Sequence, residues 1–317
     1  MEVATADIRR WDELIPDTLG VIFTKLPLRE RLTVIPRVCK SWASAVNGPY
    51  CWQEIDIYDW CTRCEPRHIE RMVEMLITRS SGSMRKLCAS GLQTERIFTF
   101  IAENAGSLKN LRLPRCDVND FAVEQMTRKL SMICILDLSY CIRIGSNAIE
   151  TIGKNCKRLE VFCRNMHPLD TSGKPLEDAE AFAVASTMPK LKSLEMTYNL
   201  ITNEGVYQIL SLCPNLEHLD LRGCWGVKLD DMYVKQSFPK LNVLGPQVSG
   251  YYEREECSDI SDSSDSEYDD SDMDEYDFYD DESDDGMWYH DGRIDELEFR
   301  VYEGGIEDAA MYWPPSP

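Results

Sequence analysis

The chain reads as α/β: a small set of helices at the N-terminus, then a solenoid with short parallel strands on a concave face and helices on a convex face, then an acidic, disordered tail. Three observations carry that reading. Between Trp11 and Trp52, apolar residues crowd a segment too short to bury them all. From Met84 to Leu244 an apolar pattern recurs at a nearly constant interval, and the formal charge of −21 on 317 residues is concentrated toward the C-terminal end.

The N-terminal segment breaks into three short helices. Pro16, Asp17 and Thr18 make a helix start, and Leu19, Ile22, Phe23 and Leu26 follow at i, i+3, i+4 and i+7 on one stripe, ended by Pro27. A second apolar turn around Leu32 and Ile35 is stopped by Pro36. A third helix carries Val38, Cys39, Trp42 and Val46 up to the breaker Asn47-Gly48-Pro49. The surplus apolar surface either meets a partner or caps the domain that follows. In order, the landmarks are Ile15-Pro16, Ile22-Phe23, Leu26-Pro27, Val38-Cys39-Lys40-Ser41-Trp42 and a closing Trp52. This series resembles the F-box, with Ile15 where that family usually has leucine. The resemblance implies a three-helix F-box over residues 11–53 that docks on a Skp-type adaptor, and through it on a cullin-RING ubiquitin ligase. Ile15, Pro16, Ile22, Leu26, Val38 and Trp42 would carry the docking.

The middle of the chain is repetitive. Leu108-Lys-Asn-Leu111-Arg-Leu113, Ile133-Cys-Ile-Leu136-Asp-Leu138, Leu191-Lys-Ser-Leu194-Glu-Met196 and Leu216-Glu-His-Leu219-Asp-Leu221 share one pattern, and weaker copies begin at Met84, Leu159 and Leu241. Successive starts lie 24 to 26 residues apart except for one interval of 32. The last two apolar residues of each copy are two apart, so a strand turns both to one face and the residue between them to the other. Ile149, Ile152, Gly153 and Cys156, and likewise Val206, Ile209, Leu210 and Cys213, have helical spacing and read as return segments. Pattern and period resemble the leucine-rich repeat, implying about six to seven repeats over residues 54–250.

Within that frame the cysteines are structural. Cys116, Cys141 and Cys224 lie three residues after the final leucine of their copies, and Cys156 and Cys213 lie three before the next first leucine. That distribution resembles the cysteine-containing leucine-rich repeats found with F-boxes. The long interval places an insertion between Met166 and Glu180, where Pro168, Gly173 and Pro175 mark a loop: a tolerated surface insertion or a binding loop. Arg112, Asp137, Cys163, Glu195 and Asp220 face outward on the concave sheet, flanked by Ser139, Asn165, Thr197 and Arg222. Arg112, Asp137, Glu195, Asp220 and Arg222 are the candidates for contact with a protein substrate, and the three carboxylates suit a basic segment.

The charge is a tail property. Residues 253–285 sum to −17 and 286–317 to −5, which leaves +1 on residues 1–252. A body without basic excess gives no sign of nucleic-acid binding. The first ten residues hold Glu2, Asp7, Arg9 and Arg10 and lack the apolar run of a signal peptide, and no run approaches the ~18 residues of a membrane span. The expectation is a soluble protein of nucleus and cytoplasm whose 13 cysteines are reduced. Cys61-Thr62-Arg63-Cys64 with His68 is half of a zinc spacing without a second pair near in sequence, so no metal and no cofactor is expected. No motif supports a catalytic centre. Low hydrophobicity and mutual repulsion should keep the tail from 251 to 317 mostly disordered. Ser264, Ser266 and Ser271 each precede an acidic residue by three, a spacing that resembles acidophilic-kinase sites, and Leu297-Glu-Phe299-Arg-Val301-Tyr302 alternates like a strand.

F-box, repeats and acidic tail together resemble the plant F-box proteins that join a tryptophan-marked F-box to leucine-rich repeats. The resemblance implies a non-catalytic substrate receptor of a Skp-cullin-F-box ubiquitin ligase. The alternative is a scaffold outside any ligase, whose repeats and acidic tail bind basic proteins.

Overall fold

Proline punctuation sets the first helices. Ile15 is extended, and Pro16 opens α1 (Pro16–Phe23), where its missing N–H would have had no helical partner. α2 (Leu28–Thr33), α3 (Ile35–Val38) and α4 (Lys40–Asn47) follow, and a 3₁₀ turn at Pro49–Trp52 closes the unit. The helix boundaries differ from expectation in three places. Pro36 lies at the start of α3 instead of stopping a helix, because at that position it forfeits no hydrogen bond. Val38 and Cys39 do not share a helix with Trp42, since Cys39 is fully extended (φ −162°, ψ 168°) and α4 begins after it. α1 stops at Phe23, so Leu26 lies in the turn before Pro27.

The computed structural model describes residues 11, 14–166 and 176–247. The tail with Ser264, Ser266 and Ser271, the strand expected at 297–302, and residues 167–175 of the expected loop lie outside the described residues.

Beyond the 3₁₀ turn the chain alternates strand and helix. β1 (Glu54–Asp56) leads to α5 (Tyr58–Cys61) and α6 (Pro66–Ser80); β2 (Lys86–Cys88) to α7 (Glu95–Glu103); β3 (Asn110–Arg112) to α8 (Asp120–Thr127); and β4 (Ile135–Asp137) to α9 (Ser146–Asn155). β5 (Val161–Cys163) then leads to α10 (Ala179–Thr187), β6 (Ser193–Glu195) to α11 (Asn203–Leu212), and β7 (His218–Asp220) to α12 (Asp231–Ser237), before β8 (Asn242–Leu244). The strands form one parallel sheet in chain order, each beside its predecessor, as a solenoid requires. Ile55, Leu87, Leu111, Leu136, Phe162, Leu194 and Leu219 are paired in a single line across it, and all are buried. On the helical side α9 buries Ile149, Ile152 and Gly153, and α11 buries Val206, Ile209 and Leu210.

Both ends of the array depart from the sequence reading. Trp52-Gln-Glu-Ile55-Asp-Ile57 is an additional first copy, so Trp52 closes the helical unit and opens the solenoid at once. Trp52 is fully buried; its indole N–H donates to the Val46 carbonyl at 2.7 Å, and the guanidinium groups of Arg31 and Arg79 lie 5.1 and 5.6 Å from its ring centre. At the other end, Val243 and not Leu244 pairs with Leu219, so the last copy starts one residue earlier than Leu241. Leu244 thereby joins the outward row, where it is exposed.

A charged residue occupies one core position. Arg164 stands where the fifth copy should carry its final leucine, and its side chain is 2% exposed. Its Nη1 donates to the carbonyls of Leu138 (3.4 Å) and Cys141 (2.9 Å), its Nη2 to the Ile144 carbonyl (2.9 Å) and Glu180 Oε1 (3.0 Å), and its Nε to Glu180 Oε2 (3.1 Å). Every N–H of the guanidinium is used, which is the condition for burying it. Glu180 comes from the first turn of α10. The segment between β5 and α10 spans residues 164–178, against 138–145 between β4 and α9, so the surplus of the long interval falls here.

In five of the copies the chain turns left-handed two residues after the final apolar position, at Gly91 (φ 72°), Arg115 (56°), Tyr140 (63°), Tyr198 (56°) and Gly223 (77°). Two substitutions separate backbone strain from crowding. A Cβ on Gly91 meets nothing within 4 Å, whereas one on Gly223 would lie 2.3 Å from the Tyr198 ring. Gly91→Ala should therefore cost about 1 kcal/mol from φ alone, and Gly223→Ala roughly 2–3 kcal/mol from strain plus displacement of the ring. Thermal melts of the two variants check the difference; equal midpoints would contradict it.

Candidate functional site

The N-terminal helices bury some of their apolar residues and leave others exposed. Leu19 and Phe23 turn inward and are buried, while Ile22, from the same predicted stripe, points outward. It joins Ile15, Val21, Val34 and Val38 in a set of large apolar side chains between 37% and 64% exposed. Of the six residues read as a docking set, Ile15, Pro16, Ile22 and Val38 are exposed, and Leu26 and Trp42 are half-buried. Trp42 leans on Phe23 with ring centres 5.0 Å apart. Beside Trp11 and Tyr50, Val21 and Val34 are also exposed. Neither has a helical-stripe signal, because each is adjacent in sequence to a residue that already has one.

The concave face is ordered by strand register. Asp56, Cys88, Arg112, Asp137, Cys163, Glu195, Asp220 and Leu244 are successive partners across β1 to β8, so the row read from sequence is one physical row, about 4.8 Å from strand to strand. Its members are not equally available. Asp220 is 3% exposed and lies under Arg222, whose Nε (3.0 and 3.1 Å) and Nη2 (2.6 Å) donate to its carboxylate. Asp56 pairs with Lys86 at 2.8 Å. Asp137 accepts the Ser139 backbone N–H at 2.9 Å, and Glu195 accepts the Asn165 amide at 2.9 Å. Neither Asp137 nor Glu195 has a cationic partner within ion-pair distance among the described residues. Burial pushes the Cys163 thiol between them up, and both carboxylates add to the shift. The Cys88 thiol, beside Asp56, is pushed up to about 12, chiefly by burial.

Beside Glu195 the face carries a depression of about 230 Å³, lined by Tyr140, Asn165, Glu195, Thr197, Tyr198, Asp220 and Arg222. Asn165 is the organising residue: its amide N–H₂ holds Glu195 while its carbonyl oxygen accepts the Thr197 backbone N–H at 3.0 Å. Tyr140 and Tyr198 are the lining residues that sequence reasoning missed. The signal that could have found them is the glycine at the equivalent place in two other copies, Gly91 and Gly223.

Comparison with known proteins places this architecture in a family. The family model described as Leucine Rich repeat matches residues 187–210. Over 98% of its length, and 98% of the other protein's, the chain is 50% identical to F-box protein FBW2 of Arabidopsis thaliana. It is 31% identical to Putative F-box/LRR-repeat protein 23 over 75% of this chain and 53% of that protein, and 30% identical to F-box protein SKIP19 over 74% and 76%, both from Arabidopsis thaliana. The chain is a plant F-box protein with leucine-rich repeats.

The thiols of this F-box protein serve its packing. Cys141 Sγ donates to the Leu113 carbonyl (3.2 Å) and Cys224 Sγ to the Met196 carbonyl (2.9 Å), in each case the final apolar residue of the preceding repeat, and Cys213 Sγ donates to the Met188 carbonyl (3.5 Å). Burial pushes Cys141 and Cys213 up to about 11 and Cys156 and Cys224 up to about 12, so all four remain protonated at neutral pH. Cys61, the candidate zinc ligand, donates to the Ile57 carbonyl and accepts the Ser90 N–H, both at 3.2 Å. Among the described residues no group of three or more His, Cys, Asp or Glu side chains is arranged to hold a metal.

Proposed function

We propose that this F-box protein is the substrate-recognition subunit of a Skp-cullin-F-box ubiquitin ligase. The observation that carries the proposal is the exposed apolar set on the N-terminal helices, Ile15, Val21, Ile22, Val34 and Val38, in a unit whose own core is already filled by Leu19, Phe23, Ala45 and Val46. Exposing that surface is unfavourable unless a partner covers it. The partner is a Skp-type adaptor, and the adaptor brings the cullin-RING ligase. The concave row of Arg112, Asp137, Glu195 and Arg222 holds the target, with Asp220 buried beneath Arg222 as its support. Catalysis by this chain is then proximity: it makes and breaks no bond, and raises the local concentration of target at the charged ubiquitin. The proposal extends to residence in nucleus and cytoplasm, which imaging of a tagged chain checks.

Co-purification tests it. The full chain should capture a Skp-type adaptor, and the double substitution Ile15→Asp, Val38→Asp should lower capture more than about tenfold, since it would bury two unpaired carboxylates in an apolar contact. Both residues are exposed, so the thermal midpoint of the isolated chain should stay within a few degrees of the parent. An intact chain that captures no adaptor would sink the proposal and favour the scaffold alternative.

A further inference from the structure

The charges that line the depression beside Glu195 are unevenly matched. Of its charged groups, Asp220 and Arg222 neutralise one another through three donor–acceptor contacts, which leaves Arg222 little demand for an anion. Glu195 is different: its carboxylate has no cationic partner within ion-pair distance among the described residues, and Asn165 fixes one of its oxygens in place. The three charged residues that line the depression therefore sum to one negative charge. Two of its lining residues are aromatic, and a tyrosine ring here already accepts a cation, since the Arg115 guanidinium lies 5.1 Å from the centre of Tyr140. Tyr198 is backed by the bare backbone of Gly223, where any Cβ would collide with its ring. At about 230 Å³ the space is smaller than the ~300–1,000 Å³ of sites for free small molecules and suits one long side chain.

We propose that the depression formed by Tyr140, Tyr198, Glu195 and the Asp220–Arg222 pair receives a single arginine or lysine side chain from a segment of the target protein. The charged head meets Glu195, the methylene stem lies along the tyrosines, and Asp137, two strands away in the same row, offers a second carboxylate to a neighbouring basic residue. This inference rests on the receptor reading and deepens it, because it names the chemistry by which a target is recognised.

The test uses the purified full chain and immobilised random-flanked peptides with one fixed central residue: arginine, lysine, citrulline or glutamate. Citrulline keeps the shape of arginine and lacks its charge. Arginine and lysine peptides should be retained about tenfold over citrulline at low salt, and the preference should fade as salt screens it. Glu195→Gln should abolish the preference and Tyr198→Leu should weaken it severalfold. Equal retention of arginine and citrulline, or a preference that Glu195→Gln leaves intact, overturns the proposal. Should Glu195→Gln fail to fold, a preference undiminished in about 1 M salt overturns it on the parent chain alone. Adaptor capture measured on the same preparations keeps the two ideas apart. A chain that binds adaptor without preferring cations refutes the pocket, and one that prefers cations without binding adaptor refutes the ligase reading.

Discussion

Arg164→Ala should destabilise the solenoid by about 2–4 kcal/mol, because it removes a buried side chain and the donors it supplies to backbone carbonyls and to the partly exposed Glu180. In the parent, the guanidinium satisfies the Leu138, Cys141 and Ile144 carbonyls of the preceding repeat and both oxygens of Glu180, with its side chain 2% exposed. Alanine leaves a void and takes the donors from the Ile144 carbonyl and Glu180, whereas the Leu138 and Cys141 carbonyls keep the backbone N–H groups of Cys141 and Ile144. Leucine, the residue its neighbours carry at this place, fills the void but not the acceptors, so Arg164→Leu should cost less than alanine and still be destabilising. Lysine, with three donors on one nitrogen, cannot reproduce the fork. Urea unfolding gives the free energies, and a double-mutant cycle with Glu180→Gln should return a coupling above about 1 kcal/mol. A loss below about 1 kcal/mol for Arg164→Ala would mean that the network contributes little.

Trp52→Ala should be at least as severe, about 3–5 kcal/mol, with a different signature. Trp52 is fully buried and is bonded to Val46 in the helical unit, yet it stands at the head of the first repeat. Removing it opens a cavity where the helical unit and the first repeat share a side chain. Calorimetry of the parent should show the helices and the repeats melting together, whereas the variant should show two separated transitions. Trp52→Phe keeps ring contacts with Arg31 and Arg79 but loses the bond to the Val46 carbonyl, and should cost about 1–2 kcal/mol without splitting the transition. A single transition in Trp52→Ala near the parental midpoint would refute the joint.

The repeats were legible because they are made of what a strand needs. From Leu87 to Leu219 each buried ladder residue sits in the place that the L-x-x-L-x-L pattern assigns it. The pattern failed where the chemistry at a position changed while its geometry did not. The first copy is hidden because tryptophan and isoleucine replace leucine and because Trp52 already had a role in the preceding helices. Arg164 breaks the apolar pattern in the fifth copy, and nothing in sequence announces that Glu180, sixteen residues on, makes its burial affordable. Helical periodicity placed Leu19, Ile22, Phe23 and Leu26 on one stripe but could not say which edge of the stripe the neighbouring helices cover. Those neighbours take Leu19 and Phe23 and leave Ile22 outside. Of the candidate recognition surface, the row from Arg112 to Asp220 followed from alternation. Tyr140 and Tyr198 did not, because a left-handed turn carries no fixed residue signature unless glycine fills it. The tie of Asp220 to Arg222 was likewise invisible, since residues two apart on one strand face give no sign of whether their charges meet the solvent or each other.

The double membership of Trp52 has a metric consequence. Because the first strand begins at Glu54, two residues after the 3₁₀ turn that closes the helical unit ends at Trp52, position along the sheet is counted from a fixed origin in whole strands. From β1 to β6 there are five steps of about 4.8 Å, or roughly 24 Å along the sheet to Glu195. A shorter or longer array would shift a bound segment by one such increment and leave its orientation to the strands unchanged. The protein is in this sense a graduated spacer, whose reach can be altered only in units of one repeat.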